Sequence, residues 1–349
     1  MTAAAIVAVA IGVTACGSSS KPAVTKTTAH QHAATTTSQS KAARAISVAM
    51  AIPGPIDDKS FDEMGYEGLQ ECKANGARTT YKAEVATPEF SRVLQTFARS
   101  SEVVIGDGEE FAEVTEKLAP EFPQTKFIVA ADPIKPHHSN VEALEPNSTQ
   151  SAYLAGVVAG EATKTNKLGG VGGFEFPVLR AQMQAFEAGA KAVNPKATMK
   201  VVYLGSFEDA AKGREAATSL AASGVDVVYH IADNAGVGVI DGAQASGIKA
   251  IGWGKNQHAL APNTVIASQI VNLAAMIKSA CSAIAAGKFE GGGVVMAGLE
   301  SGVVGLSPIY NEPSSIQATV ESYRKKILAG SVSVPSIGGG IPASGPKSD

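Results

Sequence analysis

The sequence predicts an α/β protein built as two lobes on parallel sheets, and three observations carry that prediction. Short β-branched and apolar runs alternate with helical segments, which is the sequence form of parallel βαβ units. Several of these runs, EVVIG at 102–106 among them, are continuously apolar, which suits a sheet covered on both faces better than a half-exposed antiparallel one. The series then starts again near residue 147, a weak internal repeat. A chain of 349 residues has room for about two domains.

The N-terminal elements precede the first lobe. The uncharged apolar run Ala3–Ala15 is too short for a spanning helix, which needs about 20 residues, and reads as the apolar stretch of an export signal. It ends in VTAC, Val13–Cys16, similar to the lipobox of bacterial lipoproteins, so Cys16 is the expected lipid attachment point of a signal at 1–16. No Lys or Arg precedes the run, which leaves the translation start open. Residues 17–44 are rich in Ser, Thr, Ala and Lys and nearly empty of large apolar side chains, so they cannot bury enough surface to offset their ordering entropy and read as a tether. His30 and His32 lie within it without a third metal ligand nearby.

Strands of the first lobe are expected at 45–52, 78–86, 102–106 and 126–132, with helices between them. The second series places strands at 167–173, 199–206, 225–232 and 248–253. After it come a strand at 264–271, a helix to about Gly287, a strand region at 298–306 and a last helix over Ser314–Ala329. The expected division is 45–146 for the first lobe, completed by about 268–295, and 147–267 for the second, completed by about 296–332, with a flexible tail at 333–349. Facing lobes bring the carboxyl ends of both sheets to one crevice, where open α/β sheets bind ligands. The loops on that crevice are 53–61, 106–111, 173–177, 232–236 and 252–257.

The first loop, PGPIDDKSF, leads into a helix. Ser60 and Glu63 have the spacing of a capping box, and Asp57, Asp58 and Asp62 stand where negative charge favours the helix N-terminus. Helix entry leaves Phe61 unexplained; at a cleft-facing helix start it suits a flat ligand. Cys72 and Cys281 each fall on a helix expected to pack on the first lobe; an exported chain permits a disulfide, and the spacing leaves a bridge and two free thiols both open. His230, in an apolar strand, reads as core or cleft wall, and His137 and His138 fall in a polar loop. GVGVIDG, 236–242, has the wrong spacing for a dinucleotide fingerprint, so its glycines read as packing positions.

A formal net charge of -3 gives no basic surface for nucleic acid, and the leading segment is a secretion signal rather than a DNA-reading module. Nucleophile elbow, zinc motif and Walker loop are all missing. The carboxylates Asp57, Asp58, Asp107, Glu109 and Glu110 admit an acid/base or divalent-cation reading, set against helix entry and solvation. The expectation is a binding protein, not an enzyme, with no cofactor, no metal and no nucleic-acid partner.

Five segments carry a more specific resemblance: DDKSFDEMGYEG (57–68), AYLAGVVAG (152–160), GGVGGFEFPVLRAQMQAFEAGAKAVNP (169–195), GVDVVYHIADNAGVGVIDGAQASGIKAIGWGKNQHALAP (224–262) and KKILAGSVSVP (325–335). Together they resemble the basic membrane protein family of periplasmic-binding-type lipoproteins, which includes the purine nucleoside receptors, across nearly all of 46–335. The resemblance implies a periplasmic-binding-protein type I fold, two doubly wound parallel-sheet lobes joined by a multi-stranded hinge. It also implies the substrate-binding component of an ABC importer, a monomer lipid-anchored on the extracytoplasmic face of the cell membrane. Such a protein passes a small polar ligand, a purine nucleoside by this resemblance, to permease and ATPase subunits. A sensory receptor, or a binder of a sugar or modified nucleoside on the same fold, is the alternative.

The family's first loop commonly reads Asp-Asp-x-Ser-Phe-Asn. Asp57, Asp58, Ser60 and Phe61 match it, while Asp62 replaces the Asn and exchanges a donor and acceptor for an acceptor alone. Where nucleoside-binding members usually carry Gly-Val-Asp-x-Asp-Gln, this chain reads GWGKNQ, so Gly254 replaces the carboxylate expected on the ribose and Trp253 precedes it. A Lys usual shortly afterwards is Val271. Asp107, Glu109, Glu110 and Asp233 are the groups available to compensate. The resemblance thus implies a ligand site of Asp57, Asp58, Phe61, Asp62, Asp107, Phe174, Asp233, Trp253, Gly254 and Lys255. In it Phe61 is a stacking platform contributing about 1–3 kcal/mol, Phe174 or Trp253 a second wall, Asp58, Asp62 and Asp233 polar anchors, and Lys255 a contact from the other lobe.

Overall fold

A computed structural model describes residues 45–335. The expectations for the signal, Cys16, the tether with its two histidines, and the tail beyond Pro335 lie outside the described residues.

Strands β1 (Ser47–Ala51), β2 (Arg78–Lys82), β3 (Val103–Asp107), β4 (Lys126–Ala130) and β5 (Val141–Pro146) form one parallel sheet in the spatial order β2-β1-β3-β4-β5. Strands β6 (Lys167–Gly172), β7 (Thr198–Tyr203), β8 (Val227–Ile231), β9 (Lys249–Gly254) and β10 (Val265–Val271) repeat that order in a second sheet, β7-β6-β8-β9-β10. Two short strands complete the pair: β11 (Val294–Ala297) lies parallel beside β5, and β12 (Val304–Leu306) antiparallel beside β10. The internal repeat in the sequence is therefore a repeat of topology. Central strands β3 and β8 are buried from end to end, as their unbroken apolar runs require, while the edge strands β2 and β7 alternate between half-buried and exposed.

Helices α1 (Phe61–Ala74), α2 (Phe90–Ala98) and α3 (Ala112–Leu118) belong to the first sheet's series, and α4 (Ser148–Ala162), α5 (Pro177–Val193), α6 (Ala210–Ala222) and α7 (Asp233–Ser246) follow in the second. α8 (Leu273–Ala285) returns to pack on α1, and α9 (Ser314–Leu328) packs on α4. The small-residue runs have a steric cause. A Cβ at Gly156 would stand 1.9 Å from the Phe186 carbonyl oxygen, and one at Gly189 1.9 Å from that of Tyr153, so α4 and α5 touch backbone to backbone. A Cβ at Gly238 would meet the Ala210 carbonyl oxygen at the same 1.9 Å, which accounts for the GVGVIDG segment as the contact of α7 with α6.

The chain passes between the sheets three times, after β5, after β10 and after β11. The crossings are bonded to one another: the Asn147 amide donates to the Ala297 carbonyl at 2.8 Å, the Leu299 amide to Gln150 Oε1 at 2.9 Å, and the Asn272 amide to the Val303 carbonyl at 2.7 Å. The crossing expected near residue 268 falls later, because β10 stays paired with β9 and β12 through Ile270 and Val271. Of the strand region expected at 298–306 only β12 is strand, and β5 and β11 were not expected at all. β5 reads VEALEP, whose two glutamates and terminal proline hide a strand that is buried throughout.

Cys72 on α1 and Cys281 on α8 are joined in a disulfide with Cα atoms 5.9 Å apart. It closes a loop of 209 residues that contains the whole second sheet except β12. Replacing both cysteines with Ala should lower unfolding stability by about 2–5 kcal/mol, read from the urea midpoint. The intact protein should gain two hydrogens in mass on reduction; no mass gain would mean that the bridge is not formed.

Candidate functional site

Each sheet has the order 2-1-3-4-5, whose switch point lies between its first and third strands. The loops leaving β1 and β3 on one side, and β6 and β8 on the other, converge there on a cavity of about 610 Å³. Its wall takes Phe61, Asp62, Glu109, Glu110 and Glu145 from the first sheet's side and Phe174, Gln182, Glu208, Asp233 and Trp253 from the second's.

Asp58 builds the entrance. Its carboxylate is buried and accepts from the backbone amides of Ser60 at 2.9 Å, Glu63 at 3.0 Å and Asp62 at 3.2 Å, so it caps α1. The capping box expected of Ser60 and Glu63 does not form, because Asp58 already holds those donors. Ser60 is left free to reach the other lobe, and its Oγ donates to Asp233 Oδ1 at 2.9 Å. Asp62, one residue into the helix's first turn, folds back on the loop and accepts from the Gly54 amide at 3.2 Å.

With the helix start fixed, Phe61 faces Trp253 across the gap, ring centroids 6.4 Å apart and planes 30° from parallel. Trp253 is held from behind. Its Nε1 donates to Gln182 Oε1 at 3.2 Å, which also accepts from Gln269 Nε2 at 3.0 Å, while Gln269 accepts from the Tyr229 hydroxyl. His230 sits fully buried beside this network, bonded to Gln257 at 2.8 Å, and burial drives its pKa down to about 4. A second aromatic group closes the far wall: Phe174 stacks on Phe176 at 5.6 Å and meets Phe207 edge-on at 5.2 Å.

The carboxylates crowd one another. Burial pushes Asp62 up to about 9, with the Asp233 and Asp58 charges adding to it. Burial likewise raises Glu109 to about 7 and Glu110 to about 6, and lifts Asp107, Asp233 and Glu145 well above the usual carboxylate range.

Of the residues expected at the site, the structure brings Phe61, Asp62, Phe174, Asp233 and Trp253 onto the cavity wall. The others are elsewhere. Asp57 is exposed, since the turn that buries Asp58 points its neighbour outward. Asp58 lies behind the wall as the helix cap. Asp107 is completely buried beneath α1, where a Cβ on Gly65 would stand 1.8 Å from its Oδ2. At Gly254 the backbone turns with φ of 81°, carrying Lys255 out of the cleft and onto α1, where its Nζ pairs with Glu67 at 2.7 Å and Glu63 at 3.3 Å. Lys255 is thus a contact between lobes and lies off the cavity wall. Gln182, Glu145, Phe176 and Glu208 were missed. Phe176 lies in a loop already assigned to the crevice, whereas Glu145 belongs to the unexpected β5 and Gln182 to the interior of α5, where no local signal marks it.

The raised carboxyls fix the sign of a pH effect. Asp62 keeps its proton in the folded protein and loses it on unfolding, so its contribution is full below the ordinary Asp value of 3.8 and is lost as pH rises through about 9. His230, held below its ordinary 6.5, acts oppositely, and only below that value. Between pH 6.5 and 8.5 the melting temperature of the ligand-free protein should therefore fall, by the equivalent of about 2 kcal/mol. Asp62→Asn should make the decline shallower in thermal melts, the other raised carboxyls keeping the rest of it; a melting temperature that rises over this window would contradict the assignment.

Comparison with known proteins supplies the context for this cleft. Residues 45–337 match the family model described as ABC transporter substrate-binding protein PnrA-like. A protein of Listeria monocytogenes named CD4+ T-cell-stimulating antigen is 32% identical over 322 residues, covering 84% of this chain and 89% of its own length. The ABC transporter nucleoside-binding protein BmpA of Lactococcus lactis is 31% identical over 304 residues, covering 80% and 86%. Among solved structures, an ABC transporter solute-binding protein of Aeropyrum pernix superposes with a TM-score of 0.75 at 22% identity over 83% of this chain and 94% of its own. One from Conexibacter woesei gives 0.66 at 27% identity over 83% and 99%.

Proposed function

The chain belongs to the family of PnrA-like ABC transporter substrate-binding proteins, and we propose that its ligand is a flat ring compound of the purine nucleoside class, held between the lobes. As a substrate-binding protein it captures a small molecule for the permease and ATPase subunits of an importer and catalyses no reaction. The observation that carries the ligand reading is the pair Phe61 and Trp253, one ring from each lobe, meeting on a cavity of about 610 Å³. That volume lies within the range of small-molecule sites. The name of the Lactococcus lactis relative supports the same class.

Binding then works by closure. Contacts made to both lobes at once favour the closed form, and only that difference in affinity shifts the population. The carboxylates accept from ring N–H and amino groups, and Gln182 and the hydroxyls of Ser206 and Thr87 are donors on the wall, the Ser148 hydroxyl being given to the Pro146 carbonyl. One observation favours a second reading, a ring compound without ribose or a modified nucleoside. Gly254, where the family's ribose-facing carboxylate is expected, is off the cavity wall, and Val271, in the place of the usual Lys, is apolar, so both polar anchors are missing. By the same reading the protein is anchored on the outer face of the cell membrane through a lipid on Cys16.

Trp253 is the only Trp in the sequence, so its emission reports on the cleft directly. Adenosine, guanosine or inosine should change that emission and raise the melting temperature, and Phe61→Ala should weaken binding by about ten- to a hundredfold. If all three nucleosides leave both signals unmoved, the nucleoside reading is wrong. Separately, Cys16→Ser should move the protein from the membrane fraction to the soluble one, and retention in the membrane would contradict the anchor.

A further inference from the structure

We propose that the cleft selects a cation: the ligand is a ring compound that bears a protonated or quaternary nitrogen. The proposal rests on the reading of the cleft as a ring-binding site and narrows the class of ring.

The wall carries six carboxyl groups, Asp62, Glu109, Glu110, Glu145, Glu208 and Asp233, and no Lys, Arg or His among the described residues that line it. Glu145 is the most telling. It is 1% exposed, its Oε2 has no hydrogen-bond partner, and it lies on the cavity wall at the end of β5. Behind the wall Asp107 is wholly buried with both carboxyl oxygens unpartnered, and Asp58 adds a further negative group. Lys255 and Arg180, close in sequence to the wall residues Trp253 and Leu179, are engaged outside, Lys255 with Glu63 and Glu67 and Arg180 with Glu175. A buried carboxylate with no partner is among the costliest arrangements a protein can hold, and a cluster of them demands a counter-charge.

Three counter-charges are possible: protons, a metal ion or an organic cation. A metal ion does not fit, because among the described residues no three Asp, Glu, His or Cys side chains converge closely enough to hold one. Protons meet part of the need, since burial raises Asp62 to about 9 and Glu109 to about 7. The rest of the wall suits an organic cation. Phe61, Phe90, Phe174, Phe176, Phe207 and Trp253 line the same cavity, and aromatic faces attract a desolvated ammonium or charged ring through their quadrupoles. A singly charged ring entering this space takes the place of about one proton, which passes to the buffer, and leaves one carboxylate ionised beside it.

The test uses two isomers that differ in charge and hardly in shape. 1-Methyladenosine is a cation at neutral pH, and N6-methyladenosine is neutral. In titration calorimetry of the full chain at pH 7, the cationic isomer should bind at least about tenfold more tightly. Its heat should depend on the buffer's ionisation enthalpy because protons are released, whereas that of the neutral isomer should not. Glu145→Gln should reduce the preference while sparing the neutral isomer, and Glu110→Gln serves the same purpose if the first variant loses its melting transition. Equal or tighter binding of the neutral isomer would overturn the cation proposal and leave the nucleoside class standing. Binding of tryptamine, a cationic ring without ribose, by a protein that binds neither nucleoside would keep the cation and discard the nucleoside. Failure of all three probes would remove both.

Discussion

The cleft depends on the carboxylate of Asp58. Three backbone amides at the start of α1 would otherwise be buried without acceptors, since the helix begins beneath the second lobe, and Asp58 takes all three. A side chain in that role fixes the phase of the helix. It places Phe61 toward Trp253, Asp62 back toward Gly54, and Ser60 toward Asp233. Each of these residues lies within four positions of the cap, so a rotation of the first turn would misplace all of them together.

This cap also explains why acidity accumulates here. The helix N-terminus tolerates negative charge, and Asp58 uses that tolerance fully. Every further carboxyl on or behind the wall has to be stabilised by something else. Asp62 has one amide, Asp233 one hydroxyl, and Asp107 no partner. The gradient from a satisfied carboxylate outside to unsatisfied ones inside follows the path from the loop into the cavity. Stability of the empty protein is therefore in tension with the readiness of the cleft, a usual condition of binding sites.

Much of this was legible in the sequence. Strand after strand of both series sits where the apolar runs place it, because strands buried on two faces leave an unbroken signature. The resemblance supplied the type of fold and pointed to Phe61, Asp62, Asp233 and Trp253. What escaped did so for physical reasons. β5 carries Glu142 and Glu145 in six residues, so a strand buried throughout looks like a surface loop. The misplaced Lys255 shows a different limit. One glycine at positive φ turns the chain after Trp253, and spacing along the sequence does not reveal on which side of the turn a side chain emerges. Ser60 shows a third, since two competent caps stand two residues apart and only the geometry of the loop decides between them.

Around the cavity the lobes meet through the Ser60–Asp233 hydrogen bond, the Lys255 pairs with Glu63 and Glu67 and the aromatic pair, among other contacts such as Met64 beside Gly254. A hydrogen bond contributes about 1 kcal/mol, a half-exposed ion pair under about 1, and an aromatic pair about 0.5–1.5. These favour closure by a few kcal/mol at most, and the mutual repulsion and desolvation of the carboxyls oppose it. Moving such a balance from mostly open to almost fully closed takes about 5.5 kcal/mol of differential binding. That difference has to come from a molecule touching both lobes at once, and the aromatic and acidic wall offers such a molecule contacts to both. With the proposed ligand between the lobes, the aromatic and acidic interior supplies the contacts to both that the small rim interactions do not.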